Sequence, residues 1–175
     1  MGSIGVGDAA PGFNLESVNM GTVSLGDYIG KRVVIIFGRY FGCPVCQYDF
    51  DELIVKVDKI REKAEIIYFT QSSPDVARKF IMEHELDFPV IPVPKEDGHY
   101  KVYDDYSVGN MGIGTTIEIL RRAGIAKKAG KTHGEYEGRE PQSPADFVVD
   151  EAGKIIWAHR GVLGLEKLLG FLNSA

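Results

Sequence analysis

Lys31 to Leu53 reads KRVVIIFGRYFGCPVCQYDFDEL, and the rest of the chain is interpreted from it. The run Val33-Val34-Ile35-Ile36-Phe37 is β-branched, apolar and unbroken, which predicts a strand buried on both faces. After the junction, apolar residues recur at Cys46, Phe50, Leu53, Val57 and Ile60 with charges between them, the pattern of an amphipathic helix. Between strand and helix sits Cys43-Pro44-Val45-Cys46. Proline is tolerated at the first helical position because the N–H it lacks would be unpaired there. Cys43 then becomes the cap residue, with its sulfur where unpaired amides and the helix dipole favour an anion. Cys46 follows three residues later on the same face and can reach back to it. Two cysteines so placed have the sequence form of a thiol–disulfide couple.

Other uses of two cysteines fit less well. Inert core thiols are common singly, but not at this spacing around a proline. A zinc site needs two further ligands. The chain has no third cysteine, and His84, His99, His133 and His159 are scattered. A purely structural disulfide would close a tiny loop at a helix start, where strain makes the bond easier to reduce.

The bulk properties narrow the function class. The 175 residues, 44% hydrophobic and 26% charged, suit a single domain over residues 1–175 with a core that needs no staples. A net charge of −5 argues against a nucleic-acid partner; Lys127, Lys128 and Lys131 form only a short basic patch. No apolar run has the length of a membrane span, and the start MGSIGVGDAAPGF resembles neither a signal peptide nor a myristoylation site. The expectation is a cytoplasmic protein, and in a reducing cytosol paired cysteines serve chemistry more often than structure.

Along the chain, Phe13–Leu15 and Gly21–Leu25 predict short strands, and Leu25–Ile29 one helical turn stopped by Gly30. Glu65–Thr70 predicts a second buried strand, completing a βαβ unit. Ser73-Pro74-Asp75 starts a helix by cap, first-position proline and first-turn acid, with Val76, Phe80 and Ile81 facing inward. Prolines at 89, 92 and 94 suit an edge segment. Tyr100–Tyr106 reads as a short helix, Gly109–Gly114 as a flexible connection, and Thr115–Arg122 as helix. Ala123–Pro144, rich in glycine and charge, predicts a long surface loop or flap. Asp146–Asp150 and Lys154–His159 form a hairpin, and Val162–Leu172 a last helix. A βαβ half followed by a ββα half gives the expected fold class: α/β, thioredoxin-like, a central mixed sheet flanked by helices, with an N-terminal extension and an insertion before the late hairpin.

Four segments also resemble one family. VGDAAPGFNLESVNMGTVSLGDYIGKRVVIIF, YFTQSSPDVARKFIMEHELDFPVIP and FVVDEAGKIIWAHRG are similar to stretches of the alkyl hydroperoxide reductase and thiol-specific antioxidant superfamily. RYFGCPVCQ looks most like its peroxiredoxin-like branch, which carries a CPxC-type motif. The chain departs from typical peroxiredoxins at Ile36 and Tyr40, where they have proline and Thr or Ser. It departs again at Ser143-Pro144-Ala145-Asp146, where they carry an arginine that holds the thiolate and orients peroxide. Arg39 and Arg160 are the candidate replacements. Arg39, four residues before Cys43, is the better placed, and Arg160 reads more simply as a surface charge. By the same resemblance Pro144 matches a proline held in a cis peptide facing the cysteines.

These readings converge on a peroxiredoxin-like thiol–disulfide oxidoreductase with Cys43 as nucleophile, Cys46 as resolving thiol, and Arg39 and Pro144 completing the site. The substrate is a disulfide or a hydroperoxide, and the missing Thr/Ser and arginine favour the disulfide. A cellular dithiol reductant such as a thioredoxin-like protein must reset the couple. No cofactor, metal, nucleic acid or membrane is called for, and a homodimer is compatible with the reading. A true peroxidase, a redox-sensing ligand-binding module built on the 123–144 insertion, and a zinc-linked scaffold are the alternatives.

Overall fold

The computed structural model describes residues 2 to 175. Its centre is strand β3 (Val33–Phe37), buried at every position. β3 pairs in parallel with β4 (Glu65–Thr70), and β4 with the short edge strand β5 (Val90–Pro92). On its other side β3 pairs antiparallel with β6 (Ala145–Val149), which forms a hairpin with β7 (Ile155–Arg160). The five-stranded order is β5-β4-β3-β6-β7. A separate hairpin, β1 (Asn14–Glu16) with β2 (Thr22–Ser24), precedes a 3-10 turn at Leu25–Tyr28. Among the described residues there are five α-helices: α1 (Pro44–Arg61), α2 (Pro74–Ile81), α3 (Lys101–Asp105), α4 (Ile113–Lys128) and α5 (Leu165–Ser174).

Because strand side chains alternate faces, the buried run of β3 supplies two cores. Val34 and Ile36 pack with Phe50 and Leu53 of α1, Ala77 of α2 and Leu168 of α5. Val33, Ile35 and Phe37 pack with Tyr103 and Tyr106 around α3 and with Val23 and Leu25 of the N-terminal extension. A mixed sheet with helices on both faces is the expected fold class. β3 and the start of α1 therefore place the cysteines at one end of the sheet, beside the β6 end, since Phe37 registers with Ala145.

Three expectations need correction. Ala123–Pro144 is not a loop throughout: α4 continues to Lys128, because Ala126 and Ala123 still find the protein body. Only residues 129–144 form the connecting segment, and they are strapped down. Gln142 is buried and donates to the Val108 and Gly109 carbonyls at 2.7 and 3.0 Å, while Gln71 donates to its side-chain oxygen at 3.0 Å. Second, no peptide bond is cis among the described residues, so Ser143–Pro144 is trans. The trans amide is the lower state by about 0.5–1 kcal/mol even before proline, and the buried Pro144 meets the sheet without leaving it, its carbonyl accepting from Gly161 N at 2.8 Å. Third, Arg160 is not a surface charge. It donates to the carbonyls of Ile4, Ser107 and Tyr106 at 2.7, 2.9 and 2.8 Å and lies over Phe147, pinning the N-terminal extension.

Candidate active site

Cys43 takes the N-cap position of α1 with extended dihedrals, φ −78° and ψ 120°, and Pro44 begins the helix. Both cysteines are free and almost closed off, at 4% and 6% exposure. Tyr40 and Val45 pack against them, and Ile119 and Ala123 of α4 close over the top. The backbone ahead of Cys43 is held firmly. The Arg39 carbonyl accepts from Thr70 Oγ1 at 3.0 Å and Gln71 N at 2.7 Å, and Phe41 N donates to Ser72 Oγ at 2.8 Å.

The two thiols titrate apart. The Cys46 thiol donates to the Cys43 sulfur and is the largest influence lowering Cys43, to about 6; burial opposes it and the Arg39 charge supports it. The Val45 and Cys46 amides favour the thiolate too, although Cys43 closes no formal cap hydrogen bond. Cys46 is pushed well up by the same shared hydrogen bond and by burial. The cap cysteine is thus the thiolate and Cys46 the thiol.

Arg39 is buried, and its Nη1 donates to Cys43 Sγ at 3.4 Å. Its Nη2 donates to the Glu140 carbonyl at 2.6 Å and stands 3.6 Å from the Glu140 carboxylate. The Nε–H of Arg39 is buried with no partner. Tyr40, at the position where the resemblance implied Thr or Ser, does not serve the sulfur. Its hydroxyl donates to the Glu140 carboxylate at 2.5 Å and lies 3.2 Å from His133 Nε2. Burial first, and Glu140 second, raise the phenol above its ordinary value, so it remains a donor.

The strap of residues 129–142 seals this arrangement. Gly134 N donates to the Gly42 carbonyl at 2.9 Å, and a Cβ on Gly42 would collide with the Glu135 carbonyl oxygen. Gln47 donates to the carbonyls of Phe41 and Thr132, at 2.8 and 3.1 Å. Asp49, one turn beyond Cys46, is buried and accepts from Arg122 Nε at 2.6 Å. Burial raises its carboxyl to about 6 in spite of Arg122. Among the described residues no three His, Cys, Asp or Glu side chains converge so as to hold a metal ion.

Of the expected site, Cys43, Cys46 and Arg39 come together. Pro144 lies at the same end of the sheet, one residue before the Ala145–Phe37 pair, and Arg160 is engaged elsewhere. Glu140 and Asp49 were missed. Glu140 had a weak signal, as one of three acids within residues 135–140. Asp49 had a better one, an acid three residues after Cys46 on the apolar face of α1.

An AhpC/TSA family profile matches residues 6–158. The chain belongs to the AhpC/TSA family. Among solved structures it resembles a yeast mitochondrial 1-Cys peroxiredoxin (15% identity, TM-score 0.67, 97% of this chain and 75% of that one). It also resembles the thioredoxin domain of a thiol-disulfide oxidoreductase from Bacteroides vulgatus (20%, 0.64, 98% of each chain). A third similar structure is the peroxidoxin BcpB of Mycobacterium tuberculosis (18%, 0.62, 98% and 97%). At these identities the likeness carries the fold. No curated protein matches the chain in sequence. As a member of this family the protein is a thioredoxin-fold oxidoreductase.

Proposed function

We propose that this AhpC/TSA protein reduces small hydroperoxides through Cys43, with Cys46 resolving the product. The observation that carries this reading is the Arg39 guanidinium 3.4 Å from the sulfur of Cys43, a residue only 4% exposed. The sequence favoured disulfides because the Thr or Ser at position 40 and the arginine whose charge stabilises peroxide cleavage were both missing from their usual places. Arg39 brings such a charge to the sulfur from four residues ahead of the cysteine. Enclosure then selects for size, since a peroxide reaches a nearly covered sulfur more easily than a protein disulfide does.

The Cys43 thiolate attacks one peroxide oxygen, an S–O bond forms, the O–O bond breaks, and the departing oxygen takes a proton from water to leave as alcohol or water, with Cys43 as sulfenic acid. Negative charge grows on the departing oxygen, where a fixed buried donor is most effective; the unpartnered Arg39 Nε–H and the shared Nη1 are the donors at hand. Cys46 then attacks the Cys43 sulfenic acid. The S–S bond forms, the S–O bond breaks, and water leaves with the Cys46 proton. A dithiol donor returns two electrons, in this reading within a reducing cytosol.

Rapid mixing of reduced protein with hydrogen peroxide or an alkyl hydroperoxide, followed by single-turnover thiol loss, tests the proposal. Oxidation far faster than that of a free thiol is expected. A rate no better than a free thiol, together with rapid reduction of a model disulfide, would return the protein to disulfide exchange.

A further inference from the structure

Helix α4 has two unlike faces. Its inner side carries Ile119 and Ala123 against the cysteines, Ala126 buried, and Arg122 bonded to Asp49 at 2.6 Å and to the Leu163 carbonyl at 3.4 Å. Its outer side carries Ile113, Ile117 and Leu120, which are 84%, 62% and 68% exposed. These residues follow one another at i, i+4 and i+7, so they lie in a single line along the helix. Gly124 continues that line at i+11, and Ile125 borders it, also exposed.

The stripe also has a charge of its own. The chain as a whole carries −5, yet the exposed flanks of α4 offer Arg121, Lys127 and Lys128 against Glu118 alone. An apolar strip with a basic rim on an otherwise acidic protein is complementary to an acidic partner with apolar residues at its contact.

We infer that the outer face of α4 is the docking surface for the protein that returns electrons to the couple, an acidic dithiol reductant whose nucleophilic cysteine sits in an apolar collar. The inference rests on the redox reading above and names its partner. Size supports this occupant over a second copy of the chain. Three to four such side chains make a strip of about 300–400 Å², the range in which an exposed patch on a monomer is often functional. Doubled for the partner, that falls well below the area of a stable dimer and within that of brief redox encounters, under about 1,200 Å².

A partner docked there engages the helix whose other side closes over Cys43. The partner's sulfur must reach Cys43 beneath Ile119 and Ala123. Of the sixteen residues of α4 only Ala126 is fully buried, its N-cap Gly112 makes no side-chain cap bond, and Gly114 and Gly124 lie within it. Drawing this helix aside requires the Arg122–Asp49 bond to open, a local opening that the docked partner must offset. With the cover drawn aside, the partner thiolate attacks the Cys43 sulfur of the internal disulfide. The Cys43–Cys46 bond breaks, and Cys46 leaves as thiolate and takes up a proton. The partner's second thiol then attacks the mixed disulfide, releasing Cys43 and closing the partner's own disulfide.

The test compares the parent with Ile117→Asp/Leu120→Asp and with Arg121→Glu/Lys127→Glu/Lys128→Glu. Each is oxidised with hydrogen peroxide, then reduced either by dithiothreitol or by a thioredoxin of net negative charge. Circular dichroism and melting verify folding, and the dithiothreitol rate is the internal control. Both variants should match the parent with dithiothreitol while their KM for the thioredoxin rises about tenfold or more, kcat changing little. Added salt should weaken reduction of the parent by thioredoxin. Equal thioredoxin kinetics in all three proteins would overturn the inference, as would a parent that dithiothreitol reduces and the thioredoxin does not. A parent dimer that both variants dissociate in sedimentation would reassign the face to self-association. A parent that forms no internal disulfide would instead sink the redox reading and this inference with it.

Discussion

Arg39 Nη1 lies 3.4 Å from Cys43 Sγ, and the same guanidinium bonds the Glu140 carbonyl at 2.6 Å. One buried cation therefore links the sulfur at the start of α1 to the strap that covers it. In peroxiredoxins the resemblance implied an arginine just before the late strand; here the positive charge comes from four residues ahead of the cysteine. Chemistry of this kind depends on where a charge is, and not on which element delivers it.

Replacing Arg39 by Gln should raise the pH at which Cys43 becomes reactive, because Arg39 is one of the groups holding it at about 6. Hydroperoxide reduction should fall by about a hundred- to a thousand-fold at neutral pH, the usual loss when a donor to a developing oxyanion is removed. Arg39→Lys should recover part of the charge effect and little of the forked geometry. Single-turnover rates against pH in the three proteins check both statements.

Cys43 should be alkylated with a midpoint near pH 6 while Cys46 stays protonated well beyond it, since the Cys46 thiol donates to the Cys43 sulfur. In Cys46→Ala that donor is gone, and the Cys43 midpoint should rise toward the ordinary thiol value. In Cys46→Ser a hydroxyl can still donate, so the rise should be smaller. Iodoacetamide rates across pH distinguish the variants; a Cys46→Ala midpoint unchanged from the parent would refute the shared hydrogen bond.

Asp49 makes a thermodynamic prediction. Its carboxyl is raised from 3.8 to about 6 in the folded protein, so the folded state binds this proton more tightly than the unfolded chain. Stability from this group is full below 3.8 and is lost as pH rises through about 6. Asp49→Asn lacks that loss. The difference in unfolding free energy, variant minus parent, should therefore grow over this window by up to about 3 kcal/mol and level off above it. Urea titrations at several pH values give the slope directly, and a flat difference would contradict it.

Gly42→Ala should lift the strap. Its Cβ would strike the Glu135 carbonyl oxygen, a backbone atom that cannot simply rotate aside. Overpacking of this kind costs about 1–3 kcal/mol. Cys43 should become more accessible to a bulky maleimide, and proteolysis within residues 129–142 should accelerate. Unchanged labelling and cutting would show that the strap does not depend on this close approach.

The sequence by itself determined the elements that local patterning can encode. The unbroken run at Val33–Phe37 required a strand buried on both faces, and the proline after Cys43 placed that cysteine at the cap of α1. Ser73-Pro74 began α2 in the same way, through its cap oxygen, which accepts from Val76 N at 3.4 Å. These features act over a few residues, so a reader of the chain can see them. Tertiary structure decided what lies far apart in sequence. Arg39 meets Glu140 across about a hundred residues, Asp49 meets Arg122, and Ile119 and Ala123 cover the cysteines. The glycines and charges of residues 123–144 looked like a loop because intrinsic preference sees no partner, whereas contact with the protein body carries α4 on to Lys128. Arg160 illustrates the same limit. Its charge suggested solvent, and only the converging carbonyls of Ile4, Tyr106 and Ser107 offered it a half-buried use. Caps and strand runs are local and were legible; the partners of a buried charge are chosen by the fold.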